Sequence, residues 1–329
     1  MKTFIAMMMV SASFWAMAQY PNYTVTDWSG DVEIAIWSSD SSPSAHPSAV
    51  ATVHPDYVCV GGGVQTLDTE YGGLLTKSYP LPGYSSWQGQ SKDHGTGSSD
   101  IHKVRVYAIG LKLNGISASE LKQYVTTSTM TSGTANHPNV TSQLPLTHHI
   151  IGGGAQVNWS GFGNLLTASY PSGPQSWYAK SKDQETADRC TITAYAIGLE
   201  TCIPGFGELD FTISNSQGPT VSYGTSGGGL SAETGRVITC PGAYDDTWDW
   251  GRLLTNCYPE GANSVYASSK DHNSRADAGY VTIYSIQIQR KPDGSYSCPE
   301  RDGGGGGGGG GEGGDPKGGP GGGGGGIMW

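Results

Sequence analysis

Between residues 28 and 291, apolar and polar residues alternate in short runs. Leu209, Phe211 and Ile213 are separated by polar residues, and a longer run extends from Tyr280 to Ile288. A period of two, enriched in β-branched and aromatic residues and interrupted by Gly, Pro, Asn or Ser, is typical of antiparallel strands. The density of glycine disfavours helices. The pattern predicts an all-β protein with about fifteen short strands.

The same short elements recur three times in the same order. They are Leu74-Leu75-Thr76, Leu165-Leu166-Thr167 and Leu253-Leu254-Thr255; Tyr79-Pro80, Tyr170-Pro171 and Tyr258-Pro259; Ser91-Lys92-Asp93, Ser181-Lys182-Asp183 and Ser269-Lys270-Asp271; and residues 107–111, 195–199 and 284–288. This recurrence predicts three repeats, 28–113, 117–201 and 205–291, each of about 88 residues and about five antiparallel strands. Two arrangements are consistent with it: a tandem array of small sandwiches, or closure around a pseudo-threefold axis with a shared core.

The two ends of the chain have a different character from the repeats. Lys2, the apolar residues 4–10 and the small residues of Ala16-Met17-Ala18 predict a secretory signal peptide over residues 1–18. Residues 303–326 are nearly all glycine, which predicts a disordered tail over residues 303–329. We therefore expect a secreted, extracellular protein without a membrane span.

The net charge of the chain argues against a nucleic-acid ligand. The 329 residues include 18 Lys+Arg and 28 Asp+Glu, for a formal net charge of -10, and only 14% of residues are charged. An acidic chain is a poor nucleic-acid binder, because the phosphate backbone favours clustered Lys and Arg. We expect no nucleic-acid partner.

Six cysteines in a secreted chain predict disulfides. In the repeat alignment Cys240 replaces Gly61 and Gly152, and Cys257 replaces Ser78 and Ser169. Both changes occur only in the third repeat, on segments expected to be neighbouring strands. We therefore predict a Cys240–Cys257 bond. The other four, which are Cys59, Cys190, Cys202 and Cys298, are expected to form two further bonds of undetermined connectivity.

The Ser-Lys-Asp element opens a loop in every repeat and is followed by a second carboxylate. The carboxylate pairs are Asp93 with Asp100, Asp183 with Asp188, and Asp271 with Asp277. Paired oxygen ligands can hold calcium, whereas Asp and Ser can equally fix a turn by bonding to backbone N–H groups. The sequence favours the turn, with a calcium or ligand role as the alternative, and requires no cofactor.

Aromatic residues precede these loops and suggest how a sugar could be held. Rings beside Asp and Lys can contact the apolar face of a sugar while polar groups bind its hydroxyls; the alternative is that the rings fill the core. The candidate ligand-binding residues are Trp87, Lys92, Asp93, Trp177, Lys182, Asp183, Tyr266, Lys270 and Asp271.

Catalytic motifs are weak. Residues 224–228 resemble the nucleophile motif of the trypsin family, but Thr225 stands where an Asp belongs, so the sequence favours a glycine-rich loop. Three copies of one unit suit multivalent binding, where linked weak sites gain avidity. We expect no enzymatic activity.

The segments Ile151 to Ala155, Leu165 to Pro171, Ser181 to Asp183 and Tyr195 to Leu199, together with Trp177, resemble repeats of secreted, largely uncharacterised bacterial proteins. The resemblance covers most of residues 57–290 and implies an extracellular β-rich repeat without catalytic residues. The sequence thus favours a lectin-like protein that recognises surface glycans multivalently. The alternative is a structural protein, an extracellular matrix, coat or adhesive component whose Gly-rich tail mediates assembly.

Overall fold

The predicted all-β class is confirmed in the part of the chain that the structure describes. The computed structural model describes residues 20–67, 73–93, 101–161, 163–184, 186–245, 252–271, 278–292 and 298. Antiparallel strands make up most of these residues, as the period-two pattern indicates. The predicted signal peptide and Gly-rich tail lie outside the described residues.

Each of the three sequence repeats spans six strands, where about five were expected. A short strand, β1 (Tyr23–Thr26), precedes the first repeat. The first repeat holds β2 (Val32–Asp40), β3 (Ser48–Thr52), β4 (Val58–Leu67), β5 (Leu74–Pro80), β6 (Ser86–Lys92) and β7 (Lys103–Leu113). The second holds β8 (Val125–Thr131), β9 (Asn139–Gln143), β10 (His148–Asn158), β11 (Asn164–Gly173), β12 (Ser176–Asp183) and β13 (Thr191–Glu200). After β14 (Cys202–Ile203), the third holds β15 (Gly207–Gln217), β16 (Thr225–Ser231), β17 (Val237–Asp245), β18 (Leu253–Pro259), β19 (Ser264–Lys270) and β20 (Val281–Arg290).

The extra strand in the third repeat is β16, where the sequence predicted a loop. Its residues Gly227 to Gly229 carry no side chain to mark a period of two. Backbone pairing with β19 nevertheless holds the segment extended along its whole length, from Thr225 opposite Lys270 to Ser231 opposite Ser264. The prediction of a loop was wrong because glycine hides the alternation that identifies a strand.

Strands of different repeats continue one another's sheets. The three sheets have the orders β1-β2-β7-β4-β18-β19-β16, β3-β6-β5-β10-β13-β8 and β14-β15-β20-β17-β11-β12-β9. Each sheet therefore combines three strands of one repeat with three of another, and the repeats meet at the junctions β4–β18, β5–β10 and β11–β17. Only one or two residue pairs are in register at each junction.

Glycines at equivalent positions allow the strands to approach at the junctions. A Cβ atom at Gly63 would collide with the Cys257 carbonyl oxygen, and one at Gly154 with that of Ser78. At Gly242 it would lie 3.0 Å from the Cα atom of Tyr170. The last glycine of the runs 61–63 and 152–154, and Gly242 at the equivalent position of the third repeat, thus allow close backbone approach.

Equivalent residues of the three repeats also meet inside the molecule. The main hydrophobic cluster includes buried residues of all three repeats. Leu74, Leu165 and Leu253 form a separate buried cluster. A small cavity is lined by the next three leucines, Leu75, Leu166 and Leu254.

Helical structure is minor in the described residues. One four-residue helix, α1 (Ala118–Leu121), begins at Ser117, whose hydroxyl accepts a hydrogen bond from the Glu120 N–H. Over these residues no helix is long and apolar enough to cross a membrane.

Candidate functional site

The three Ser-Lys-Asp elements lie at the ends of equivalent strands and are largely buried. Ser91, Ser181 and Ser269 are inaccessible to solvent. Lys92, Asp93, Lys182 and Asp271 are buried as well, while Asp183 and Lys270 are partly buried. The polar groups of this element therefore mainly contact other protein atoms and not solvent.

The buried serine of the element has a different environment in each repeat. The Ser91 hydroxyl lies 2.7 Å from Nε2 of His102, which is also buried. The Ser269 hydroxyl accepts a hydrogen bond of 3.2 Å from Nε of Arg252. Within the described residues the Ser181 hydroxyl has no hydrogen-bond partner. The element keeps its place in the fold although the groups around it change, which is typical of a structural position.

Lys92 connects the first repeat to the second. Its Nζ donates a 3.2 Å hydrogen bond to the Gly161 carbonyl oxygen and lies 4.6 Å from the centre of the Trp159 ring. Burial lowers the pKa of Lys92, and the carboxylates of Asp188 and Asp93 oppose that shift. The ammonium group of Lys92 thus contacts residues of the second repeat.

In the second and third repeats, the carboxylates of these loops accept hydrogen bonds from backbone N–H groups. Asp271 Oδ1 accepts a 2.8 Å bond from the Gly224 N–H. Asp188 Oδ2 accepts bonds of 3.2 Å and 3.1 Å from the N–H groups of Gly161 and Gly163, and Asp183 Oδ2 accepts one from the Asp188 N–H. These contacts agree with the turn-forming interpretation.

The calcium alternative is supported by no side-chain cluster in the described ranges. They contain no group of three or more His, Cys, Asp or Glu side chains placed to hold a metal ion. Asp100 and Asp277 lie outside the described residues, so the carboxylate pairs of the first and third repeats stay predictions.

Trp87 and Trp177 are core residues. Both rings are buried, and their Nε1 atoms donate 3.0 Å hydrogen bonds to the hydroxyls of Ser78 and Ser169. The Trp177 ring packs so closely on Gly153 that a Cβ atom there would collide with it. Neither ring presents a face to solvent. The structure has the core arrangement that the sequence left open as the alternative.

Cys240 and Cys257 are free thiols, so the structure does not contain the predicted bond. The prediction assumed that β17 and β18 are neighbouring strands. In fact β17 pairs with β20 and β11, and β18 pairs with β19 and β4. Burial raises the pKa of Cys240 to about 12.

One disulfide is present where two further bonds were expected. Cys202 is bonded to Cys298, with the two Cα atoms 5.5 Å apart. Cys59 and Cys190 are buried free thiols. Burial raises the pKa of both to about 12.

Tyrosine and glutamine side chains gather on the outer face of each sheet junction. Along β12 the half-buried Tyr178 alternates with the buried Trp177 and Ala179, which turns Tyr178 away from the core. Equivalent positions on four strands form three groups, here called junction clusters. The β4–β18 cluster is Gln65, Tyr107, Tyr258 and Tyr266; the β5–β10 cluster is Tyr79, Gln88, Gln156 and Tyr195; the β11–β17 cluster is Tyr170, Tyr178, Tyr244 and Tyr284.

Within each cluster, two tyrosines from different repeats stack across the junction. The ring centroids lie 5.5 Å apart for Tyr107 and Tyr258, and 4.7 Å apart for Tyr170 and Tyr284. Members are half-buried, except that Tyr107 is buried. Tyr266, a candidate from the sequence, belongs to the first cluster and lies 5.6 Å from Tyr258.

The other junction tyrosines were missed because their motifs suggested strands only. Tyr79-Pro80 and its copies, and the tyrosine that begins residues 107–111 and its copies, recur in every repeat. These tyrosines come together only because particular strands of different repeats pair. A local sequence pattern does not show which strands pair between repeats.

Comparison with known proteins adds no assignment. No protein-family model and no curated protein matches this sequence.

Proposed function

We propose that this chain is a secreted, non-catalytic, lectin-like protein that binds surface glycans multivalently, with its three repeats arranged around a pseudo-threefold axis. The observation that carries the proposal is the recurrence of one outward-facing tyrosine cluster at all three junctions. Three linked copies of a weak site bind a repetitive surface with avidity.

The pseudo-threefold arrangement is supported by the meeting of equivalent residues. The buried cluster of Leu74, Leu165 and Leu253 takes one residue from each repeat. Each sheet likewise joins strands of two repeats. Such an arrangement spaces the three clusters around one body, so that they can engage separate chains of a glycan layer.

The structural alternative also has an observation in its favour. The Cys202–Cys298 bond fixes the chain just before the Gly-rich segment that begins at residue 303. A covalent anchor at this position would transmit force from an assembling tail to the folded body. An extracellular matrix, coat or adhesive protein would use that connection.

A glycan array probed with the full secreted chain tests the proposal. The lectin-like function predicts binding that depends on glycan density and is competed weakly by monosaccharide. Sedimentation of the same preparation tests the alternative, which predicts self-assembly and no glycan dependence. Repeating the array with a calcium chelator determines whether the Ser-Lys-Asp loops need that ion.

A further inference from the structure

The junction clusters combine apolar ring surface with uncharged hydrogen-bonding groups. Tyrosine offers a large, rigid contact area at low conformational cost, and its hydroxyl adds a polar tip. In the β11–β17 cluster, Tyr170 lies within 5.5 Å of Tyr178, 5.4 Å of Tyr244 and 4.7 Å of Tyr284. Four half-buried rings thus form one surface on the outside of the sheet.

Glutamine replaces tyrosine at defined places in the other two clusters. The Tyr107 hydroxyl donates to Gln65 Oε1 at 2.8 Å, and the Tyr195 hydroxyl donates to Gln156 Oε1 at 3.0 Å. Each bond uses the single O–H donor of the phenol. It leaves both N–H donors of the glutamine amide available to a ligand. The half-buried Tyr195–Gln156 pair therefore presents amide donors beside the phenol oxygen, where a sugar hydroxyl can both accept and donate. Tyr107 is buried and is also hydrogen-bonded to Arg105.

None of the cluster members carries a charge at neutral pH. Burial raises the pKa of Tyr79, Tyr107, Tyr170 and Tyr195, so their hydroxyls stay protonated. Arg105 lies next to Tyr107, but its guanidinium is engaged by the Asp40 carboxylate at 2.6 Å. The nearest cations lie beside the clusters, Arg105 next to Tyr107 and Lys77 opposite Gln156, and no cluster member itself offers a cation to a sugar carboxylate or sulfate.

We infer that each junction cluster is a subsite for a pyranose ring of an extended, uncharged polysaccharide. The ring surface of the tyrosines contacts the axial C–H groups of the sugar, and the amide and hydroxyl groups bind its equatorial hydroxyls. The inference rests on the proposed function and adds the binding residues and the ligand class. The sugar-binding site is thereby placed at the sheet junctions and not at the Ser-Lys-Asp loops.

Affinity electrophoresis of the full chain tests the inference. The gels contain hydroxyethylcellulose or galactomannan, which are uncharged, or carboxymethylcellulose, which carries carboxylates on a similar backbone. We expect retardation by an uncharged polymer. Each of Tyr79→Ala, Tyr170→Ala and Tyr258→Ala should weaken retention by about 2- to 10-fold, the range for one aromatic contact, and the triple variant should lose it.

Two sets of variants separate binding from folding. Tyr223→Ala removes a tyrosine that is 64% exposed and belongs to no cluster, so its retention should be unchanged. Tyr79→Phe and Tyr195→Phe keep the ring of a half-buried residue and remove only the hydroxyl, so retention should fall while the melting temperature changes little. These variants keep the test valid if an alanine variant does not fold.

Four results would overturn the inference. Normal retention of the folded triple variant would exclude the clusters, and retardation by carboxymethylcellulose alone would exclude the ligand class. Binding on the glycan array without retardation in any gel would leave the proposed function standing and remove this ligand. Absence of binding in both assays would overturn the proposed function as well.

Discussion

The rings of Tyr79 and Tyr195 stack with their centroids 5.0 Å apart, although Tyr79 belongs to β5 of the first repeat and Tyr195 to β13 of the second. In the sheet, β10 lies between these two strands. The contact therefore exists only because the repeats continue each other's sheets. It links the stability of the junction to the surface that we assign to binding.

A double-mutant cycle on this pair measures that link. Tyr79→Ala, Tyr195→Ala and the double variant should show a coupling of about 0.5–1.5 kcal/mol in urea unfolding, the range for an aromatic pair. Strictly additive effects would mean that the rings do not interact across the junction.

Gly153→Ala should destabilise the protein by about 1–3 kcal/mol through overpacking. The added methyl group would collide with the Trp177 ring and the Tyr195 carbonyl oxygen. Gly133→Ala is the matched control, because no atom lies within 4 Å of its Cβ position. Equal stability of the two variants would contradict the close packing of Trp177 on β10.

Asp271→Asn should lower stability without weakening binding. The carboxylate oxygen accepts a 2.8 Å bond from the Gly224 N–H, and the amide keeps that acceptor but loses the charge. We expect a loss of about 0.5–2 kcal/mol in thermal or urea unfolding. Retention in the polysaccharide gels should be unchanged per folded molecule, and a loss of binding would return the Ser-Lys-Asp loop to the site.

The buried thiols should resist alkylation in the folded protein. Burial raises the pKa of Cys59 and Cys240 to about 12 and also raises that of Cys257, so at pH 8 almost none is thiolate, the reactive form. Iodoacetamide should label them only after unfolding, while Cys202 and Cys298 stay linked in a non-reducing peptide map. A Cys240–Cys257 peptide in that map would show that secreted material carries the bond predicted from the sequence.

Six junction phenols have a raised pKa and should ionise above the usual range in an ultraviolet titration: Tyr79, Tyr107, Tyr170, Tyr178, Tyr195 and Tyr258. Burial raises the pKa of Tyr258 to about 12, from 10.0 for a free side chain. Between these two values the unfolded chain loses the proton and the folded chain keeps it, so stability should fall as pH rises from about 10 to about 12. Ionisation of all tyrosines near pH 10 in the folded protein would contradict their burial.

The fold class could be predicted from the sequence because period-two alternation is a local property, and because it recurs in three copies. Strand β16 was missed, since its glycines carry no alternation. The order of strands could not be predicted, because pairing between β4 and β18 or between β11 and β17 joins segments of different repeats. For the same reason the sequence could not show that Cys240 and Cys257 lie on strands that do not pair with each other.

The candidate site was predicted less well for a related reason. A tryptophan before a polar loop gives the same pattern whether its ring is exposed or buried, and Trp87 and Trp177 are buried. Tyr266 was selected for its place beside the loop, and its neighbours in the cluster come from other strands. Only the three-dimensional arrangement shows that recurring tyrosines form a surface.

The decisive measurement is a structure of the chain with an uncharged oligosaccharide bound. We expect a pyranose ring against the tyrosines of a junction cluster, most readily the four-tyrosine cluster around Tyr170, with its hydroxyls bonded to phenol or amide groups. An oligosaccharide bound only at the Ser-Lys-Asp loops, with every junction cluster empty, would contradict it.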